Sequence, residues 1–461
     1  MKPSRKFLAL AVTSALAFAA CGGDDSSSEP DPVDTTAAEE TESDTAEQPS
    51  DTAEQPEEAT EETATTEAEA AVEPASGEPI VIGWLTDATS VTRGTYFPEY
   101  EGAKLFFETL NEAGGIDGRP VEIKVEDMKI DAELAVTAAT KLLQDDGAIM
   151  LGGGTIEGRL PPIFDVVRQE GAPFLTGHSA RPDMFPSDPD PLLFTAGNVF
   201  EAMSDARVDV WPLLFAEEFP EGGTSGCYIH ESPAALVVCD RWLEEQALET
   251  PEWQPGMIVS APLQTTDFTP FVRPLVDSNP DVLFDISIAS HAIGVAVTAR
   301  NLGYAGPIAV SMTATPATDI DEVVNQVGGD NLYALSNIVS IDETDIDEVQ
   351  RVIDAAEEFG TEIAPSSGTI NGWLMGMIIA DALERCGADC DRASLRDALE
   401  NTDLDTKGLT GGNFIFTPED HVGPRYWTGY RYDTDQGKLV RQIDTWIEFD
   451  NATDIRRPLA G

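Results

Sequence analysis

The residues of this 461-residue chain whose types and spacing bear on chemistry are few: four histidines, five cysteines and one glycine-rich loop that ends in arginine. His178, His230, His291 and His421 are dispersed and lack the H-x-x-x-H spacing of a helical metal site, so no metal is expected. No G-x-S-x-G, H-E-x-x-H or S-x-x-K stands in a setting that supports catalysis, which leaves no catalytic residue and no cofactor to assign. The loop Gly153-Gly154-Thr155-Ile156-Glu157-Gly158-Arg159 is of another kind. Glycines let backbone approach a ligand, and N–H groups at a helix start hold a carboxylate or other acceptor. Arg159 there either clamps an anion bidentately or pairs with Glu157 or another of the abundant surface acids.

The elements that must position such loops read as alternating strands and helices. Ile80–Trp84 is a short apolar strand, a helical pattern runs from about Pro98 to Ala113, and Pro120–Val125 is a second strand. Asp131 caps a helix whose apolar residues Leu134, Ala138 and Leu142 recur at helical spacing. Ala148–Leu151 is a third strand, Pro161–Glu170 a helix and Pro173–Leu175 a fourth strand. The second half repeats the rhythm: strands at Cys227–His230, Gly256–Ala261, Asp281–Ile288 and Pro307–Val310, with helices between them, one reaching Ala247. This rhythm predicts α/β architecture with parallel sheets and right-handed crossovers. Ligands of open parallel sheets sit at the carboxyl ends of the strands. Those loops are Thr86–Gly94, Gly152–Arg159, Thr176–Arg181, His230–Ala235, Ala289–Ile293 and Ser311–Pro316, so Asp87, Glu231, Ser290 and His291 join the candidates.

Charge narrows the partners. There are 84 acidic against 27 basic residues, a net charge of −57. Such a chain lacks the clustered Lys and Arg that bind phosphate backbones or anionic lipid, so nucleic acid is excluded. Residues 1–21 carry Lys2, Arg5 and Lys6 before a 14-residue mostly apolar run, Phe7–Ala20, which is too short to span a bilayer as a helix. Phe18-Ala19-Ala20-Cys21 resembles the end of a bacterial lipoprotein signal, with Phe18 where Leu is usual; an ordinary secretory signal is the alternative. On the first reading Cys21 is lipidated and the rest is exported and anchored to the membrane. Residues 22–78 hold 20 acids, no base and the repeat SDTAEQP at Ser43–Pro49 and Ser50–Pro56. They are expected to be a disordered, charge-extended tether. In an oxidising exterior the remaining cysteines are expected to pair locally, Cys227 with Cys239 and Cys386 with Cys390, the latter as a loop staple rather than a redox pair.

Three stretches resemble the type I periplasmic binding proteins of the leucine/isoleucine/valine-binding family. They are Gly102-Ala103-Lys104 through Asn111-Glu112-Ala113-Gly114-Gly115-Ile116-Asp117-Gly118-Arg119, then Thr265-Thr266-Asp267-Phe268, then Ala299-Arg300-Asn301-Leu302-Gly303-Tyr304. The resemblance implies two αβα lobes with parallel sheets and a ligand cleft between them. It places residues 79–197 and 337–426 in the N-terminal lobe and 198–336 and 427–461 in the C-terminal lobe. It also implies a monomeric receptor that closes on a small-molecule solute and delivers it to ABC permease subunits; a sensory module of the same fold is the alternative. By the family pattern, first-lobe contacts come from Thr155, Glu157, Gly158 and Arg159 and from His178, Ser179 and Ala180, with Tyr96 as an aromatic lid. The family's second-lobe acid, which pairs with a ligand ammonium, has no counterpart in Ser311–Thr315, where Thr313 stands. Asp87 or Glu231 could replace it; otherwise the solute is an amide, a carboxylate or another molecule without that ammonium.

Overall fold

Strand β1 (Ile80–Thr86) is apolar at almost every position, and its neighbours in the sheet explain why. In this computed structural model, which describes residues 74–156, 159–177, 189–197, 210–211, 213–231, 252–311 and 317–448, the first sheet has the order β2-β1-β3-β4-β5. The other members are β2 (Val121–Asp127), β3 (Met150–Gly153), β4 (Phe174–Thr176) and β5 (Leu193–Thr195), and all pairings are parallel. β1 lies inside this sheet with layers on both faces, so it needs apolar residues on both. One core contains Trp84, Phe107, Trp373 and Phe414; the other contains Leu85, Leu142, Phe164 and Phe174.

The second sheet contains β6 (Thr224–His230), β7 (Gln254–Ala261), β8 (Val282–Ile286), β9 (Ile308–Ser311) and β10 (Leu332–Ser336), arranged β7-β6-β8-β9-β10 and parallel throughout. Its first strand is again flanked by its second and third. The two lobes therefore share one topology, and each has a switch point beside its first strand. β13 (Tyr426–Asp433) extends the second sheet antiparallel to β10, followed by β14 (Lys438–Arg441); β15 (Ile447–Glu448) also pairs with β13. A two-stranded ladder of β11 (Asp403–Leu404) and β12 (Phe414–Ile415) packs on the first lobe. Leu283, Tyr228 and Val295 pack on one face of the second sheet; Cys227, Phe284 and Trp211 pack on the other.

The helices are α1 (Arg93–Glu112), α2 (Ala132–Thr140, continued by a π-turn to Asp145), α3 (Pro161–Glu170), α4 (Thr269–Asp277), α5 (Ala289–Asn301), α6 (Ala317–Val327), α7 (Asp347–Phe359), α8 (Ser367–Cys386) and α9 (Arg392–Leu399). α1 starts five residues before Pro98, which lies inside it and packs against Gly368 of α8. α1 and α8 cross almost backbone to backbone: a Cβ on Gly102 would lie 1.9 Å from the Thr369 carbonyl oxygen, and one on Gly372 2.0 Å from that of Glu99. Asp131 caps α2 by accepting from the Glu133 and Leu134 N–H groups. Leu134, expected on the inner face, is 43% exposed; the buried face is Ala135, Ala138, Ala139 and Leu142. Cys386 and Cys390 are bonded, and Cys227 is also in a disulfide, while Cys239 lies outside the described residues.

No described helix is long and apolar enough to cross a membrane. The chain passes between the sheets at three places: between β5 and β6, between β10 and α7, and between β12 and β13. Two of them touch, through Thr195 N donating to the His421 carbonyl and Gly423 N to the Thr195 carbonyl.

Candidate functional site

Each sheet's switch point is a gap between the carboxyl end of its first strand and that of its third. In the first lobe the residues there are Asp87, after β1, and Thr155, after β3. Asp87 is fully buried; its Oδ2 accepts from the Thr155 hydroxyl at 2.5 Å and from the Thr92 hydroxyl at 3.0 Å, and its Oδ1 accepts from the Ile130 N–H at 2.8 Å. One carboxylate thus joins three loops, those following β1, β2 and β3. Burial raises its pKa and outweighs the three hydrogen bonds, which pull the other way.

Those bonds also hold a strained turn. Lys129 and Ile130 both have positive φ, 54° and 58°, which a β-branched residue adopts only at a cost. Asp127 supports the same turn, accepting from the N–H groups of Lys129 and Ala88. Arg159 leans against it: its Nε donates to the Ile130 carbonyl at 3.0 Å and its side chain is exposed. Glu157, the partner weighed for it, lies outside the described residues, as do Gly158, His178, Ser179, Ala180 and Thr313.

The room made by glycines before this loop goes to a core side chain. A Cβ on Gly152 would lie 2.6 Å from the Trp84 ring, and one on Gly153 2.6 Å from its Nε1. Gly153 also has φ of +86°, so both its conformation and its lack of a side chain are used. Glu99 on α1, Asn371 on α8 and Gly177 after β4 form a further buried group, with Asn371 Nδ2 donating to Glu99 Oε1 and to the Gly177 carbonyl, both at 2.9 Å.

In the second lobe the switch point lies between β6 and β8. Tyr228 and His230 alternate onto one face of β6, Asp285 and Ser287 follow on β8, and the first turn of α5 brings His291. His291 is fully engaged. A carbonyl only accepts, so Nε2 carries the proton and donates to Leu263 O at 3.0 Å; Nδ1 then accepts from the Tyr228 hydroxyl at 3.1 Å. Ser287 donates to Asp285. His230 is 6% exposed, its ring centroid is 6.2 Å from that of His291, and neither of its ring nitrogens has a hydrogen-bond partner among the described residues. Burial, with His291 as a second cause, lowers its pKa to about 4. Ser290 and Glu231 are exposed at the rim, and the Glu231 N–H donates to the Ala261 carbonyl.

The lobes meet at the helices that begin beside these switch points. Thr95, in the first turn of α1, accepts from the N–H of Ala289, the first residue of α5, at 3.3 Å. A Cβ on Gly94 would lie 3.3 Å from that of Ala289. Tyr96, next to Thr95, is buried. Of the expected residues, Asp87 and Thr155 are bonded directly and Arg159 reaches the same turn through Ile130, while Tyr96, Ser290, His291 and Glu231 lie on α1, α5 and the end of β6. Sequence reading passed over Thr95, Glu99, Asn371 and His230 as contacts; of these only His230 carried a signal, as the last residue of a predicted strand. Among the described residues no three metal-ligating side chains come together.

The family profile described as "Periplasmic binding protein" matches residues 79–438. The Leu/Ile/Val-binding protein BraC3 of Rhizobium johnstonii is 27% identical over 121 residues, which span 26% of this chain and only 33% of that one. Among solved structures, an ABC transporter substrate-binding protein from Sphaerobacter thermophilus superposes with a TM-score of 0.65 at 21% identity, covering 80% of this chain and 98% of that one. The branched-chain amino acid transporter substrate-binding protein LivJ from Streptococcus pneumoniae, in complex with isoleucine, gives 0.63 at 19%, covering 80% and 100%. A solute-binding protein from R. palustris in complex with 4-hydroxybenzoate gives 0.68 at 12%, covering 81% and 98%. With two lobes of like topology, three crossings and a profile match over most of its length, the chain belongs to the periplasmic binding proteins, in the type I class of the leucine/isoleucine/valine-binding family.

Proposed function

We propose that this chain is the extracytoplasmic solute-binding subunit of an ABC importer, anchored by lipidated Cys21 through the acidic tether of residues 22–78, and that it works by lobe closure. The observation that carries the reading is the juxtaposition of two switch points across Thr95 and Ala289. Closure brings contacts from both lobes onto one solute, so a bound solute shifts the open–closed equilibrium toward the form a permease accepts. The role needs no bond to be made or broken. The relatives' ligands, an amino acid in one case and a hydroxybenzoate in another, frame the size of solute to test.

Asp87, Thr155, Tyr96, Arg159, Ser290, His291 and Glu231 are the described residues proposed to line or brace the site. The test is native mass spectrometry of the mature chain, followed by small-angle scattering with each retained solute. A solute that binds and reduces the radius of gyration supports the reading. A chain that retains none and does not compact removes it. Metabolic labelling with a fatty acid, lost in Cys21→Ser, tests the anchor separately.

A further inference from the structure

His230 stands out within the second lobe's polar cluster. The Tyr228 hydroxyl donates to His291, Ser287 donates to one oxygen of Asp285, and Leu263 takes the remaining His291 proton. His230 lies at the same switch point, more than nine-tenths buried, with neither nitrogen used. A buried polar group without a partner is costly, and such a group at the carboxyl end of a first strand sits where open α/β sheets bind ligands.

We propose that His230 is a specificity-determining contact for the solute, and that the group it takes is uncharged and offers both a donor and an acceptor: a primary amide or a hydroxyl. This rests on reading the cleft as the solute site. A neutral imidazole presents one N–H and one lone pair, which an amide or hydroxyl meets with one group. The described elements packed against the ring offer no partner for an ion. Neither β6, the 262–268 loop nor the first turn of α5 carries a Lys or Arg that could meet a carboxylate. Asp87 already accepts three hydrogen bonds and Asp285 accepts from Ser287, while Glu231 and Asp267, the other acids of these segments, are exposed, at the rim rather than beside the imidazole. Burial holds the ring neutral, which supports the same choice.

The experiment screens the mature chain by thermal shift and calorimetry with two matched sets: isobutyramide, isobutanol, isobutyrate and isobutylamine; benzamide, benzyl alcohol, benzoate and benzylamine. The expected result is that an amide or alcohol of one set raises the melting temperature and binds at least tenfold tighter than the acid and amine of that set. His230→Leu is expected to weaken that ligand at least tenfold while its ligand-free melting temperature stays level or rises, since an unpartnered imidazole is replaced by apolar surface; His230→Gln retains part of the affinity. In the wild type the same ligand shifts the imidazole nitrogen NMR signals of His230 and leaves those of His421 in place, a readout independent of the variants. Preference for a charged member, unchanged affinity in His230→Leu, an unmoved His230 signal or no binding by any uncharged member overturns the inference. If charged members bind and compact the chain, the transport reading stands and this inference alone falls; if no member of either set binds, this inference falls and native mass spectrometry with scattering decides the transport reading separately.

Discussion

The Thr95 hydroxyl, on the first helix of one lobe, accepts from the N–H of Ala289, the first residue of a helix in the other, at 3.3 Å. α5 has no side-chain cap of its own, because Ile288 occupies the N-cap position. The acceptor comes from the opposite lobe instead, so this N–H must exchange a protein partner for water when the lobes part.

Removing that acceptor should favour the open form. N-cap replacements cost about 0.5–2 kcal/mol. Thr95→Val keeps the shape and loses the oxygen, so solute affinity should fall by about twofold to thirtyfold at that cost, with little change in unfolding free energy. Thr95→Ser should restore most of it. Calorimetry on the three proteins decides; equal affinity for Thr95→Val and wild type would show that the contact does not contribute to closure.

Asp87 makes the opposite kind of prediction, one of stability. Its carboxylate satisfies Thr92, Thr155 and the N–H of Ile130 in a left-handed turn. Asp87→Ala leaves three buried donors without an acceptor and should cost about 2–4 kcal/mol, since each orphaned group costs about 1–3 and the loops can relax. Asp87→Asn keeps an acceptor for Ile130 and should cost less than half as much. Urea unfolding measures both. If Asp87→Asn instead left stability intact and abolished solute binding, Asp87 would be a solute contact rather than the brace of three loops.

Acid should weaken the fold through its buried histidines. His230, His291 and His421 are buried, and desolvation lowers the pKa of each, that of His230 from 6.5 to about 4. A depressed histidine favours the neutral folded state: its contribution is complete above the unfolded pKa of 6.5 and is lost as pH falls from there toward 4. The steepest loss from one such group is about 1.4 kcal/mol per pH unit. Asp87 and Glu101, whose pKa values burial raises, act in the other direction at the acid end. Comparing wild type with His230→Leu cancels them. The variant's stability should fall less between pH 6.5 and 4, and parallel curves would show that His230 is solvated in the ligand-free protein.

The βα rhythm was legible because each buried parallel strand is a short apolar run bounded by turn residues. α3 matches its expected Pro161–Glu170 limits, for the paired prolines open it and Gly171 closes it in a left-handed conformation. β5 and the antiparallel strands β13–β15 were not anticipated. Three-residue Leu193–Thr195 is too short to show a period, and Tyr426–Asp433 mixes aromatic and charged residues in an edge region. The start of α1 was placed late because proline usually opens helices, whereas here α8 accommodates Pro98 inside one. In the site, the loops were readable from strand ends, but the partners were not. Asp87 and Thr155 are 68 residues apart, and nothing local in either says that they bond. Gly153, read as room for a ligand, instead has its space claimed by the Leu85 carbonyl and the Trp84 ring.

The crossing of α1 and α8 offers a test of how closely packing governs the cleft. Gly102 lies seven residues beyond Thr95 on one rigid helix, and a methyl at Gly102 would overlap the Thr369 carbonyl at 1.9 Å. Backbone on both sides cannot move as a flexible side chain would, so Gly102→Ala must part the helices, at a cost of about 3 kcal/mol or more. Because α1 carries Thr95 and Tyr96, that displacement should also move the lobe contact with Ala289. Gly118→Ala serves as the control: its φ is +78°, no atom lies within 4 Å of the added methyl, and it sits in the turn before β2 at the far end of the strands. It should cost about 1 kcal/mol of backbone strain and leave solute affinity unchanged. Gly102→Ala should lower the urea midpoint further and weaken the solute at least tenfold. A Gly102→Ala protein with reduced stability but wild-type affinity would mean that the cleft is positioned by the sheet alone and not by this helix pair.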